Sequence, residues 1–369
     1  MALNATTFSG KQFSVFIAAE GVTGTFETTV GDYRRVDVEG ITFPAFNPQQ
    51  EFEMRTGSGR IAEFGQVFSS TKRVNTEFTL SGRLTQEMWV ILCESATGDE
   101  FDGGTGSDSV LTLAYNYGGL GFKVGTNPTN NSDFAYLLSV YFAAPTAADS
   151  YSMKSCTCTN FSIDADMDSA AGRFNYTATF QTQSTPAKGA QSLLEADGAT
   201  GIGTNFLYLS LWDERNIDVK GTASQDDITP LLKTFNMSID CPTQFLGATG
   251  TNGEPEVWGK ALPELSITYG GSVKYDGETD QMVEAFRDAA SDSYLTLFLC
   301  DVAVAGTTET PTGVFFAASS VVKFGIWFGK AKLTSCEVSS DDVAMVNFEA
   351  KVLAPASGNT AHLLGGDNV

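Results

Sequence analysis

A single histidine, His362, occurs in the chain, within the stretch NTAHLLGGDNV. An imidazole is the usual base beside a serine or cysteine nucleophile and a common zinc ligand. One histidine near the end of the sequence serves neither purpose, so Ser–His–Asp catalysis, Cys–His catalysis and His-based metal sites are not expected. His362 reads as a solvated surface residue. Cys156 and Cys158, in SCTCT, place two thiols on one face of a strand. A tetrahedral thiolate site needs four ligands, and the other cysteines, Cys93, Cys241, Cys300 and Cys336, form no second close pair. All six read as buried thiols of a reducing compartment rather than disulfides.

Asp164, Asp166 and Asp168, in DADMDSAAG, have the alternation of a calcium loop. Ser169 stands where that loop needs glycine and Asn175 where it needs a bidentate glutamate, so an acidic hairpin turn is the expectation. The glycine clusters GGTG, GGLGFKVG and GATGIG neither open a helix nor spell a phosphate loop, and read as turns. Carboxylates are abundant, but no pair stands out for glycoside hydrolysis. Trp89, Trp212, Trp258 and Trp327 are scattered and suit a core or an interface as well as a carbohydrate platform. No catalytic, cofactor-binding or metal-ligating residue is assigned, no cofactor is implied, and no enzymatic activity is expected.

The elements themselves are more informative. The chain has 369 residues, 42% hydrophobic and 11% aromatic, with 37 glycines. That composition favours strands and turns. Net charge is −22, and residues 1–185 hold 11 Lys and Arg against 20 Asp and Glu. Both halves are thus acidic, a surface that repels nucleic acid and anionic membranes. The start, MALNATTFSGKQFSVFIAAEG, lacks a basic segment and a long apolar run, so no secretory leader is expected. No apolar run is long enough for a membrane helix.

The sequence echoes itself. DYRRVDVEG (Asp32–Gly40) matches DERNIDVKG (Asp213–Gly221), and MWVILCESA (Met88–Ala96) matches MVEAFRDAA (Met282–Ala290). SDSVLTLAY (Ser107–Tyr115) matches SDSYLTLFL (Ser291–Leu299), and FNYTATF (Phe174–Phe180) matches VNFEAKV (Val346–Val352). The four pairs keep their order. TGDEFDGGTG (Thr97–Gly106) has no counterpart and reads as an insertion in the first copy. A tandem duplication follows, with copies at 1–188 and 189–369 and a linker in Ser184–Asn205.

Each copy is expected to be mainly β, a sandwich or small barrel with one flanking helix and one long loop. The first helix falls on Thr85–Ala96, capped by Thr85; the second on Glu278–Ala290, capped by Thr279, with Met282, Phe286 and Ala289 as its apolar stripe. QFSVFIA, RRVDVEGITF, VNTEFTLSGRL, FAYLLSVYFA, KSCTCTNFSID and GRFNYTATFQT read as strands of copy one. FLYLSLW, RNIDVKG, KTFNMSIDC, LSITYGGSVKYD, SYLTLFL, VVKFGIWF, KAKLTSCEVS and AMVNFEAKVL read as strands of copy two. The long loops cover Phe46–Arg73 and Cys241–Leu262 and are expected to be functional.

With its strand, long loop, strand, capped helix and LTL strand, the chain resembles the tail tube protein of long-tailed bacteriophages. KTFNMSID, LPELSITYGGSVKYDGETDQMVEAFRDAASDSYLTLFL and their first-copy counterparts carry the resemblance, as does the opening MALNATTFSGKQFSVFIA. Two such domains in one chain depart from family members with one. The resemblance implies a structural virion protein, assembled in the host cytoplasm, in which six domains merge their sheets into a ring. Three chains would then close a pseudo-hexameric ring, and rings would stack into a tube. The long loops would make contacts between rings, and the tail terminator, distal tail and tape measure proteins would be neighbours. Double-stranded DNA would pass through the lumen without specific binding, past a wall with excess Asp and Glu, and no membrane would be involved. A carbohydrate-binding or decoration module and an outer-membrane porin are the alternative readings of the same composition.

Overall fold

In the computed structural model the described residues are 13–29, 32–43, 49–52, 67–70, 76–97, 110–113, 137–145, 147–169, 172–184, 186–188, 208–209, 216–220, 225–227, 232–249, 255–260, 266–277, 279–287, 295–300, 324–340, 343–353 and 362–366. They are mainly β. The first half holds β1 (Ser14–Ala19), β2 (Arg34–Val36), β3 (Gly40–Thr42), β4 (Gln49–Phe52), β5 (Val67–Ser70) and β6 (Thr76–Arg83). Helix α1 (Gln86–Thr97) follows, then β7 (Val110–Leu113), β8 (Leu138–Ala143), β9 (Tyr151–Asp166), β10 (Asn175–Thr182) and β11 (Ala187–Lys188). The second half holds β12 (Asn216–Lys220), β13 (Gln225–Asp227), β14 (Leu232–Asp240), β15 (Phe245–Thr249), β16 (Pro255–Lys260) and β17 (Ser266–Lys274). Helix α2 (Asp280–Arg287) leads to β18 (Leu295–Cys300), β19 (Phe324–Ser339), β20 (Met345–Val352) and β21 (His362–Gly366).

Every ladder is antiparallel. In the first half the order is β3–β6–β10–β9 and, from the other end of β9, β8–β1–β2. At 16 residues β9 is long enough to serve both runs. In the second half the order is β14–β17–β20–β19 and then β18–β12–β13. The halves share one sheet, because β9 pairs with β14 from Asn160↔Asp240 to Asp166↔Thr234.

Alternation decides which face each strand buries. Phe78 and Leu80 of β6, Ala178 and Phe180 of β10, and Phe161 and Ile163 of β9 point into the core. Met237 and Ile239 of β14 and Val346 and Phe348 of β20 extend the same cluster into the second half. Helix α1 lies on this apolar side, with Trp89 fully buried 6.2 Å from Phe161. Its first turn is capped as expected, the Met88 N–H donating to Thr85 Oγ1 at 3.2 Å.

Several expectations need correction. RRVDVEGITF is two strands: β2 pairs with β1, whereas β3 pairs with β6. The crossing at Asp37–Glu39 is packed so closely that a Cβ on Gly82 would lie 2.7 Å from the Asp37 carbonyl oxygen. The described part of VVKFGIWF, from Phe324, and KAKLTSCEVS form one strand, β19, since no turn residue beyond Gly329 separates them. Both long loops contain β-hairpins, β4–β5 and β15–β16, built from short alternating runs such as PEVWGK. β21, which begins at His362, pairs with β19 and β7.

Helix α2 is not capped as expected. The Thr279 hydroxyl turns back, accepting the Asp276 N–H at 2.8 Å and donating to the Lys274 carbonyl. Met282 is buried but Phe286 is 38% exposed, so the apolar stripe is broken. Ala289, most of Thr97–Gly106, most of the Ser184–Asn205 linker and the side chains of Trp212, Trp258 and Trp327 lie outside the described residues.

The sheet also moves two of the sequence echoes. β18 has β12 and β19 as neighbours, as β8 has β1 and β9; β7 pairs with β21. The LTL strand of the first half is therefore not in the sheet position of the LTL strand of the second. In the same way β12 occupies the position of β1, not of β2, so DYRRVDVEG and DERNIDVKG lie on different rungs. The helix pair and the β10/β20 pair fall on corresponding elements, the latter with a two-residue slip.

Candidate assembly surface

The eight strands β3–β6–β10–β9–β14–β17–β20–β19 form one sheet with two unlike faces. One face is the core. On the other, directly paired residues make polar rows that cross the sheet. Ser81 pairs with Thr177, Thr177 with Ser162, Ser162 with Ser238, Ser238 with Thr268 and Thr268 with Lys351. A second row runs Arg83, Asn175, Asp164, Asn236. Here Arg83 Nη1 donates to Asn175 Oδ1 at 2.5 Å, and Asn175 Nδ2 donates to Asp164 Oδ2 at 3.0 Å. Further along, Ser272 Oγ donates to Asn347 Oδ1 at 2.6 Å. Such cross-strand pairs are the unit of sheet stabilisation, and they hold this face in one arrangement.

Acidic groups on the face are Glu77, Asp164, Asp166, Asp240, Glu337 and Glu349; basic groups are Arg83, Lys274, Lys332 and Lys351. The excess of acid is small compared with the chain's net charge of −22. Hydroxyl and amide side chains dominate.

The junction between the halves is dense. Met237, opposite Ile163, is 1% exposed. Asn160 Nδ2 donates to Asp240 Oδ1, the Cys241 N–H donates to the Thr159 carbonyl at 2.9 Å, and Lys233 pairs with Asp168 at 2.9 Å. The β15–β16 hairpin leans back on the first half: Phe245 and Val257 cluster with Leu137, and a Cβ on Gly24 (φ +77°) would meet the Val257 carbonyl oxygen at 2.7 Å.

The two ends of the sheet are open. Among the described residues β3 pairs only with β6, and Ser335–Ser339 of β19 pairs only with β20. Large apolar side chains are left exposed beside both edges, Phe43 at 37% and Val338 at 46%. An unpaired edge is a ready template for another strand.

A buried carboxylate lies apart from this surface. Glu20 accepts the Ser155 N–H at 2.5 Å and the Gly24 N–H at 2.6 Å. Ser155 has φ +54° and lies where the β8–β9 register shifts, a strained bulge that the carboxylate fastens. Burial is the main cause that pushes Glu20 up to about 7, against the opposing pull of the two N–H groups and Lys154. The Cys156 thiol, opposite Leu138, is raised by burial first and then by the Glu20 charge. It is closed off from thiolate chemistry.

Cys93, Cys156, Cys158, Cys241 and Cys336 are buried and form no disulfide with one another. Asp164, Asp166 and Asp168 end β9 and make its turn, the Asp168 N–H donating to Asp166 Oδ1 at 2.9 Å. Among the described residues no three His, Cys, Asp or Glu side chains gather as metal ligands, and no helix is long and apolar enough to cross a membrane. The open edges were missed in the sequence because pairing partners, not residue types, define them. No family model and no curated protein matches the chain.

Proposed function

We propose that the chain is a structural protein built from two tandem copies of one unit, and that three chains close into a pseudo-hexameric ring that stacks into a phage tail tube. One observation carries this reading: the two halves repeat their irregularities as well as their strand order. Thr159 of β9 is skipped between Asn160↔Thr179 and Cys158↔Phe180. Thr334 of β19 is skipped between Ser335↔Glu349 and Leu333↔Ala350. A second shift occurs between Leu138 and Val140 in the first half and between Leu295 and Leu297 in the second. Bulges are conserved devices of a fold, and two in the same rungs support duplication more strongly than strand order alone.

A repeated unit that joins its copy edge to edge, and leaves the same two kinds of edge open at its ends, is a head-to-tail building block. Such interfaces form rings when the rotation closes. Eight strands from each of three chains, at ~4.8 Å spacing and a tilt of ~40°, give a barrel roughly 50 Å across. The apolar side carries the helices, so the hydroxyl- and amide-rich face would line the bore. On this reading DNA slides past a wall of near-neutral charge and rigid polar rows, and most of the acidity expected there lies elsewhere. The roots of the long hairpins clasp the adjacent unit within the ring, which leaves their tips for contacts between rings. The protein's place would be the virion, beside the tail terminator, distal tail and tape measure proteins.

Mass measurement of the purified protein without detergent tests the reading. Trimers and stacks of trimers are expected; a monomer at every concentration contradicts it.

A further inference from the structure

We infer that the free edges of β3 and β19 are the two halves of one interface between copies of this chain, with a register that repeats the internal β9–β14 junction. The inference rests on the self-assembling reading above and adds the residues that meet. Gly40 is to Ser81 as Thr234 is to Ser272, each the partner of the corresponding residue on the neighbouring strand. Ser81 pairs with Thr177 and Ser272 with Asn347, and these pair in turn with Ser162 and Glu337. β3 therefore corresponds to β14, and Ser335–Ser339 to Asn160–Asp164.

The internal junction now supplies the contact. Asn236 faces Asp164 and Met237 faces Ile163. Transferred between chains, Thr42 of one copy faces Ser339 of the next, and Phe43 faces Val338. This pairing accounts for an otherwise costly exposure: Met237 and Ile163 are 1% and 0% exposed, whereas Phe43 and Val338 are 37% and 46%. The two exposed apolar groups cover each other when copies meet. A one-residue slip would turn Val338 away from Phe43, so apolar burial selects the register. The β4–β5 hairpin follows β3 as β15–β16 follows β14, and would lean on the neighbouring chain as β15–β16 leans on Leu137.

Paired cysteines read the register. The full-length double variant Thr42→Cys/Ser339→Cys, assembled and then oxidised mildly, is expected to give covalent trimers on a non-reducing denaturing gel. Thr42→Cys/Ser335→Cys displaces one thiol by four residues, roughly 13 Å along the strand, and is expected to remain monomeric on the gel. The wild-type chain controls for the native thiols. Cross-linking of the displaced pair, or none by either pair while electron microscopy shows rings, overturns the inferred register and leaves the tube reading standing. Absence of both cross-links and rings overturns the assembly reading itself.

Discussion

Met237 sits directly opposite Ile163 at the junction of the two halves, and both side chains are sealed from solvent. Truncating Met237 to alanine removes apolar packing and leaves a cavity, a loss of about 2–5 kcal/mol. Val338, on the corresponding rung of the open edge, is half exposed, and Val338→Ala is expected to change the free chain's stability by less than about 0.5 kcal/mol. Val338→Ala weakens assembly instead. Urea midpoints at a protein concentration below assembly, set beside sedimentation at high concentration, check both. Equal losses of chain stability would mean that Val338 is already packed within the free chain.

Trp89 anchors α1 to the sheet against Phe161. Trp89→Ala is expected to cost about 3–5 kcal/mol, and Trp89→Phe much less, because a ring still fills the pocket. Denaturant unfolding measures both. Comparable effects from the two would mean that the indole is not a packing anchor.

Removing the cap hydroxyl in Thr85→Ala leaves the Met88 N–H without its partner and is expected to cost about 1 kcal/mol. Asp168→Asn breaks the exposed pair with Lys233 and is expected to fall within about 0.5 kcal/mol of wild type. Midpoints of chemical denaturation should rank the two variants in that order.

Glu20 makes stability pH-dependent. Its folded value, about 7, lies above the unfolded 4.5. Between those values the folded chain holds the proton more tightly than the unfolded chain, so stability falls as pH rises through the window. Below pH 4.5 and above pH 7 the group contributes no slope. The loss is of order 3 kcal/mol across the window. Glu20→Gln cannot ionise, so the difference in stability between wild type and variant should itself change between pH 5 and pH 8. A constant difference would show that Glu20 titrates normally in the fold.

How much could be read without coordinates depended on what each feature rests on. The Thr85 cap and the cores were legible because periodicity and side-chain chemistry are local: Thr85 before an apolar run, alternation in NYTATFQT, the acidic turn at Asp166. Of the four sequence matches, two fall on strands that hold different places in the sheet. SDSVLTLAY and SDSYLTLFL look alike, yet the sheet gives the place of β18 to β8, whose sequence LSVYFA shares only apolar character with it. A buried strand tolerates exchange among apolar residues, so likeness decays there while pairing persists. The bulges at Thr159 and Thr334 leave no mark that alternation alone detects, since a bulge adds one residue and restores the period. Edges are harder still, because being unpaired is a property of the neighbours.

Electron microscopy of the purified full-length protein without detergent, with symmetry determined from the images, tests the central claim most directly. The account predicts hollow rings or tubes whose sixfold outline is modulated threefold, with the helices outside and the polar sheet face around the bore. Solid particles without a bore, or isolated monomers at all concentrations, would contradict it.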